Sequence, residues 1–263
     1  MLETPAHKFR VAPEYHDLLR HLHLDAETVF TDPRIRVWRK LPDRENAFLD
    51  AARPDGTPVR LHIKRHAPVR YGHNPADVEA QGIRALLLEG IPTVPLVGWG
   101  TLADGRSCVI TEDLAGFRAA DKMIETGTRF ERLLAPTAEL AAKLHSRGLH
   151  HRDLYLCHFF AKDTEVSVEV RLIDAARVQR LPAWLFRNRW IVKDLSQFWY
   201  SAMRLSIPPE LRRQWLESYA AARSLKNIDT LQRQIERKAA WIERHDAKLQ
   251  RAQPTRNISI PGT

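Results

Sequence analysis

The chain changes character once, across Glu112-Asp113-Leu114-Ala115-Gly116, and that change limits the folds open to it. Upstream, short segments alternate apolar and polar residues between turn signals; downstream, apolar residues recur at helical spacing. Ile35-Arg36-Val37-Trp38-Arg39 alternates as a strand, and residues 46–52 read as a second. After the Pro54-Asp55-Gly56 turn, Val59, Leu61 and Ile63 alternate with Arg60, His62 and Lys64, which ends this third strand. Two more strands, at 94–99 and 108–111, flank the hairpin signal Ala103-Asp104-Gly105-Arg106. A short amphipathic helix over 13–22 carries Tyr15, Leu18, Leu19 and Leu22. The one main helix of this half starts at Asn74, a cap, and Pro75, and carries Ala76, Ala80, Ile83 and Leu87 as its stripe. Gly90 and Pro92 stop it.

Beyond the crossover a helix is expected over 136–145, stopped by Gly148, then a strand over 166–173. Asp194-Leu195-Ser196 opens another helix, and Pro208-Pro209 a third bearing Leu211, Trp215 and Tyr219. Ile228, Leu231, Ile235, Ile242 and Leu249 stripe a longer one, and 255–263 reads as a loose tail. The expected fold class is α+β in two lobes: an antiparallel-sheet lobe over 1–113 and a mostly helical lobe over 114–263.

The 263 residues suffice for a sizeable core, and 44% hydrophobic with 28% charged residues is ordinary globular composition. No run is apolar enough for a membrane span, and Met1-Leu2-Glu3-Thr4-Pro5 does not read as a signal peptide. Cys108 and Cys157, both in apolar segments, read as buried reduced thiols, which points to the cytoplasm. The net charge of +9 favours an anionic partner. Zinc-finger spacing, a recognition helix and aromatic RNA-binding motifs are all absent from the sequence, so no nucleic acid is expected.

The chemistry centres on Gly148-Leu149-His150-His151-Arg152-Asp153-Leu154-Tyr155-Leu156-Cys157-His158-Phe159-Phe160 and on Leu172-Ile173-Asp174. Phosphoryl transfer needs one carboxylate to orient the acceptor hydroxyl and another to hold the metal that bridges the nucleotide phosphates. Asp153 suits the first role and Asp174 the second. Lys64 is a candidate point charge for the phosphates, with Glu79 of the next helix as its partner. The 112–116 crossover has the shape of a hinge whose backbone meets an adenine ring, so Glu112 and Leu114 are nucleotide-binding candidates. His158 stands five residues after Asp153, where protein kinases place a metal-binding asparagine. It reads either as a metal-site residue or as a core histidine packed on Phe159. Asp194 reads either as a brace for the catalytic loop or as a helix cap. The short stretch from Asp174 to Asp194 carries Arg177, Arg180, Arg187, Arg189 and Lys193 but no Ala-Pro-Glu anchor for a peptide. It suits a small anionic acceptor, with Arg177, Arg187 and Arg189 as substrate-binding candidates.

Assembled, these residues resemble the bacterial lipopolysaccharide core kinases, the Kdo/heptose kinase family of the protein-kinase-like fold. The resemblance covers about residues 25–225. It is most specific at His151-Arg152-Asp153-Leu154-Tyr155-Leu156-Cys157-His158-Phe159, with Ile173-Asp174, Arg177 and Gln179, Gly90-Ile91-Pro92-Thr93, 61–66 and Lys193-Asp194-Leu195 matching in order. It implies ATP- and Mg²⁺-dependent phosphorylation of a sugar hydroxyl, heptose or Kdo, in an anionic glycolipid core at the cytoplasmic face of the inner membrane. Carried over, Asp153 is the base, Asp174 a Mg²⁺ ligand, Lys64 and Glu79 the phosphate clamp, and His158 part of the metal site. The first hairpin, Leu41-Pro42-Asp43-Arg44-Glu45, lacks the glycines of a phosphate cradle, and Leu154 and Ala175-Ala176 depart from the pattern. Two other readings compete: a small-molecule kinase of aminoglycoside or choline type, and an inactive kinase-like module that docks through its basic surface.

Overall fold

A computed structural model describes residues 8–69 and 73–252. The first residues and the tail expected at 255–263 lie outside them. The chain forms two compact units, one from Met1–Ala85 with Val94–Ala115 and the other from Leu86–Thr93 with Gly116–Thr263.

The first unit is built on a six-stranded antiparallel sheet. Its strands are β1 (Lys8–Val11), β2 (Arg36–Lys40), β3 (Arg44–Ala52), β4 (Pro58–His66), β5 (Leu96–Thr101) and β6 (Ser107–Glu112), in the order β1-β5-β6-β4-β3-β2. Alternation along β4 buries Val59, Leu61 and Ile63 in one cluster with Tyr15, Leu18, Leu19 and Leu22. Those last residues come from the turn at Pro13–Tyr15 and helix α1 (His16–Leu22). The period of two sends Lys64 to the other face. A short α2 (Thr28–Thr31) follows α1, and α3 (Pro75–Leu88) is the main helix. Asn74 caps α3, its Oδ1 accepting from the Ala76 and Asp77 amides at 2.9 and 3.3 Å.

Three expectations need correction here. Strand β1 escaped the sequence reading because four residues are too few for a periodic signal; it pairs with β5, Phe9 opposite Gly100. Lys64 does not end its strand, which continues to His66 opposite Ser107. The α3 stripe closes on fully buried Leu86, whereas Leu87, in the last turn before the helix ends at Leu88, is 48% exposed.

In the second unit α4 (Ala120–Glu125), α5 (Phe130–Ser146), α6 (Trp184–Arg204), α7 (Pro209–Ala222) and α8 (Ile228–Ala252) pack around small strand ladders. These are β7 (Arg118–Ala119) with β9 (Phe159–Asp163) and β10 (Val168–Leu172), and β8 (Leu149–His150) with β11 (Gln179–Arg180). Helix α5 begins at Phe130, well before Pro136, which therefore sits inside it. An interior proline costs about 3 kcal/mol, offset by the buried Phe130, Leu133 and Leu134 of the preceding turns. Trp215 stacks on Phe198 at 3.8 Å between centroids and donates to Thr137 Oγ1 at 3.0 Å, tying α7, α6 and α5 together. Strand β9 was not anticipated, and the strand expected from 166 begins at Val168. Helix α6 starts at Trp184, ten residues before Asp194, which thus caps nothing. Cys108 is buried, but Cys157 is only half-buried. No helix among the described residues is long and apolar enough to cross a membrane.

Candidate active site

In the first unit, α3 carries Glu79 to the face of β4 that presents Lys64, and Lys64 Nζ donates to Glu79 Oε1 at 2.7 Å. Glu79 is buried and Lys64 half-buried, so the carboxylate fixes an ammonium that keeps some contact with solvent. The pair arises from two periodicities, the alternation of β4 and the 3.6-residue repeat of α3.

At the crossover, the Glu112 carboxylate is engaged inside its own unit. Oε1 accepts from Arg53 at 2.6 Å and Oε2 from the Tyr15 hydroxyl at 2.7 Å. The Glu112 amide bonds Pro95 O and the Asp113 amide bonds Arg60 O. Leu114 is buried, and its amide has no partner among the described residues.

The second unit brings Asp153, His158, Asp174 and Arg177 together. The loop after β8 places Arg152 at φ 70°, and Asp174 follows β10 at φ 60°. Both lie in the left-handed region, which is uncommon for residues with a Cβ and persists only when surroundings enforce it. At Arg152 the enforcing group is Asp194. Fully buried in the middle of α6, it accepts the His151 amide on Oδ2 at 2.6 Å and the Arg152 amide on Oδ1 at 2.8 Å. His145 Nε2 lies 3.3 Å from Oδ2, and its Nδ1 lies 2.8 Å from the Tyr219 hydroxyl. Arg223 donates to that hydroxyl at 2.5 Å, which leaves the hydroxyl proton for Nδ1 and assigns the His145 proton to Nε2. Burial pushes the Asp194 carboxyl up, but the His145 bond and the loop amides outweigh it and hold it below the usual range. Burial keeps His145 neutral. Asp194 is therefore the brace, not a cap.

Gln197, one turn along α6, completes the loop's support. It accepts the Leu154 amide at 3.1 Å and donates to Arg152 O at 2.8 Å. The Asp153 carboxylate meets Arg177 Nη1 at 3.2 Å and Gln197 Nε2 at 3.5 Å. Lys193 adds a nearby cation: burial pulls its pKa down, and the Asp153 charge opposes this.

The two acidic segments are cross-linked through histidines. His151, buried, donates from Nε2 to Ile173 O at 3.0 Å, and the Ile173 amide bonds His158 O at 3.0 Å. His158 Nδ1 donates to Asp153 O at 2.5 Å, so its Nε2 faces Asp174 Oδ2, 3.7 Å away. Burial disfavours the His158 charge, but Cys157, Asp174 and the Asp153 carbonyl outweigh it and raise its pKa to about 10. The ring is edge-on to Tyr155 and tilted against His151, so it belongs to the polar cluster. Thr93 holds β10 from the other side, its hydroxyl donating to Leu172 O at 2.6 Å.

Arg187 and Arg189 do not reach this cluster in the structure. Arg187 donates to His145 O at 3.3 Å, and Arg189 lies over Trp190 at 6.0 Å. Sequence reasoning missed Gln197, whose only advance signal is its position three residues after Asp194 on a helix face that also carries Ser201.

A carboxylate held by an arginine, beside a second carboxylate on a strained turn, suits transfer of a phosphoryl group to a hydroxyl, and comparison with known proteins agrees. Residues 60–237 match the model of the lipopolysaccharide kinase (Kdo/WaaP) family. The chain belongs to this family. It is 30% identical over 189 residues to the lipopolysaccharide core heptose(I) kinase WaaP of Pseudomonas aeruginosa, covering 66% of this chain and 68% of that protein. The corresponding WaaP of Escherichia coli K12 is 29% identical over 170 residues, covering 58% of this chain and 62% of that protein. A crystal structure of WbdD matches with a TM-score of 0.46 at 16% identity, covering 78% of this chain and 50% of that one. Family membership makes the chain a phosphotransferase, its elements are of the expected α+β class, and the aminoglycoside- or choline-type reading gives way.

Proposed function

We infer that the chain transfers the γ-phosphoryl group of ATP to a sugar hydroxyl of the lipopolysaccharide inner core, with heptose as the first candidate acceptor. The observation that carries this is the Asp153 carboxylate, oriented by Arg177 and Gln197 on a loop pinned by Asp194. Family membership and the heptose kinase relatives support the choice of acceptor.

In this reading the sheet unit is the nucleotide lobe. The ammonium of Lys64, fixed by Glu79, neutralises the phosphates, and the Leu114 amide is available to an adenine edge. The helical unit is the catalytic lobe. Asp153 orients the attacking hydroxyl and accepts its proton as the new P–O bond forms, and the phosphoryl group leaves ADP. Among the described residues no group of three or more acidic, histidine or cysteine side chains forms a metal cage. That suits Mg²⁺, which is commonly held by one or two carboxylates together with substrate phosphates and waters. Asp174 would hold it, with His158 Nε2 alongside once deprotonated; when bound, the ion offsets charge on the phosphate oxygens. Arg177 serves the anionic acceptor, and Arg187 and Arg189 are left for the anionic surface that bears it. An acylated core precursor is membrane-borne, so the enzyme works as a peripheral protein at the cytoplasmic face of the inner membrane, its net charge of +9 favouring that surface.

Asp153→Asn tests the reading. With glycolipid acceptor kcat should fall by about 10²–10⁴-fold, while Mg-ATP still raises the melting temperature as it does for the parent. A near-normal kcat removes Asp153 from the chemistry. Mass spectrometry of the core from a deletion strain should show one phosphate fewer.

A further inference from the structure

Three consecutive apolar side chains at the start of α6 stand in solvent: Trp184 is 80% exposed, Leu185 66% and Phe186 59%. Ala183 to Arg189 are all exposed, although this run exceeds one 3.6-residue turn. Among the described residues, none covers a face of this first part of the helix. Its attachments run through longer polar side chains, Arg187 to His145 O and Asn188 to Gln234 of α8. Along the chain the neighbouring charge has one sign. From Ala175 to Lys193 the sequence contains no aspartate or glutamate, but it contains Arg177, Arg180, Arg187, Arg189 and Lys193. Lys238 of α8, its pKa drawn down by burial and then by Arg189, adds another cation beside this end of α6.

We propose that Trp184, Leu185 and Phe186 insert into the surface of an anionic lipid bilayer while Arg187 and Arg189 engage its headgroups. Apolar side chains flanked by arginines fit the interfacial zone, where aromatic rings sit at headgroup level and arginine stems extend toward phosphate. A protein partner fits less well. The three side chains offer roughly 400–500 Å², against about 800 Å² per partner in a standard protein interface. A bilayer needs no matching partner surface and draws on the charge as well, at about 1 kcal/mol per basic residue near it. The proposal rests on the reading that the acceptor is lipid-anchored, and it assigns the element that brings the catalytic unit to it.

The test compares the parent with the triple variant W184S/L185S/F186S. Flotation uses vesicles of phosphatidylethanolamine with phosphatidylglycerol, and neutral phosphatidylcholine vesicles as control. The parent should partition onto the anionic vesicles, and the triple variant at least tenfold less, at an unchanged melting temperature because the substituted side chains are exposed. Lipids brominated on the acyl chain should quench more fluorescence in the parent than in Trp184→Phe, a comparison that survives any loss of stability in the triple variant. Turnover of a water-soluble core oligosaccharide without acyl chains should be equal in parent and triple variant. Undiminished vesicle binding by the triple variant, equal quenching in Trp184→Phe, or a parent dimer that the triple variant dissolves would overturn the proposal. So would lost turnover of the soluble oligosaccharide in a folded triple variant, since the patch would then belong to the acceptor site. Vesicle binding through Trp184 without turnover of any core sugar would sink the proposed function and leave the membrane contact standing.

Discussion

Replacing Asp194 with asparagine changes one atom and should damage both fold and site. The carboxylate has two accepting oxygens: Oδ2 serves the His151 amide and His145 Nε2, and Oδ1 serves the Arg152 amide. An amide side chain has one. With its carbonyl at the Oδ2 position the His151 and His145 bonds survive, but an NH₂ then faces the Arg152 N–H. A hydrogen bond to a charged group contributes about 1.5–3 kcal/mol, and a buried orphan donor costs about 1–3 kcal/mol. A net loss of about 3 kcal/mol is therefore expected, or roughly 6–12 °C in Tm at this chain length. The lost bond is the one that holds Arg152 at φ 70°, next to Asp153. The carboxylate should wander, and kcat should fall at least tenfold, since misplacement by about 1 Å can cost 10²-fold. The assays are thermal unfolding followed by circular dichroism and steady-state kinetics with saturating nucleotide. A variant that melts within about 1 °C of the parent and keeps its kcat would refute the bracing role.

Lys64→Ala and Glu79→Ala should be strongly non-additive in kcat/KM, with a coupling above about 1 kcal/mol; additive losses in the double variant would remove the clamp. Burial holds His66 and His150 neutral, each with a pKa of about 4 against 6.5 in the unfolded chain. The unfolded state therefore binds the extra protons first. Their contribution to stability should be full above about pH 6.5 and drop steadily toward pH 4, and urea midpoints across that range should flatten in His66→Gln or His150→Gln. Gly100→Ala would set a Cβ 2.3 Å from Lys8 O and 2.8 Å from Phe9 Cα, both backbone atoms. It should cost about 1–3 kcal/mol, and hydrogen exchange should show protection lost in Lys8–Val11 first.

Much of the first unit could be read in the chain because its signals are local. Val59, Leu61 and Ile63 alternate, and Asn74 and Pro75 mark a helix start that the structure places at Pro75. The same two periodicities are enough to set Glu79 opposite Lys64. Where the signal was weak the reading slipped. Lys8–Val11 is too short to show a period, and Pro136 looked like a helix start because the buried residues that carry the helix past it are visible only in the packed unit.

Sequence alone determined the kind of chemistry. His151-Arg152-Asp153, His158 and Ile173-Asp174 point to phosphoryl transfer because Lys64 and Glu79 stand upstream at workable positions. Tertiary structure decided how those groups are held. Asp194 could have capped a helix or braced a loop, and the choice turned on α6 beginning ten residues earlier and carrying the carboxylate beneath two amides more than forty positions upstream. The apolar run Trp184-Leu185-Phe186 reads equally well as core or surface in the chain. Only its packing leaves it exposed. Hydrogen bonds and burial between distant segments depend on where the chain returns in space, and local periodicity carries no record of that.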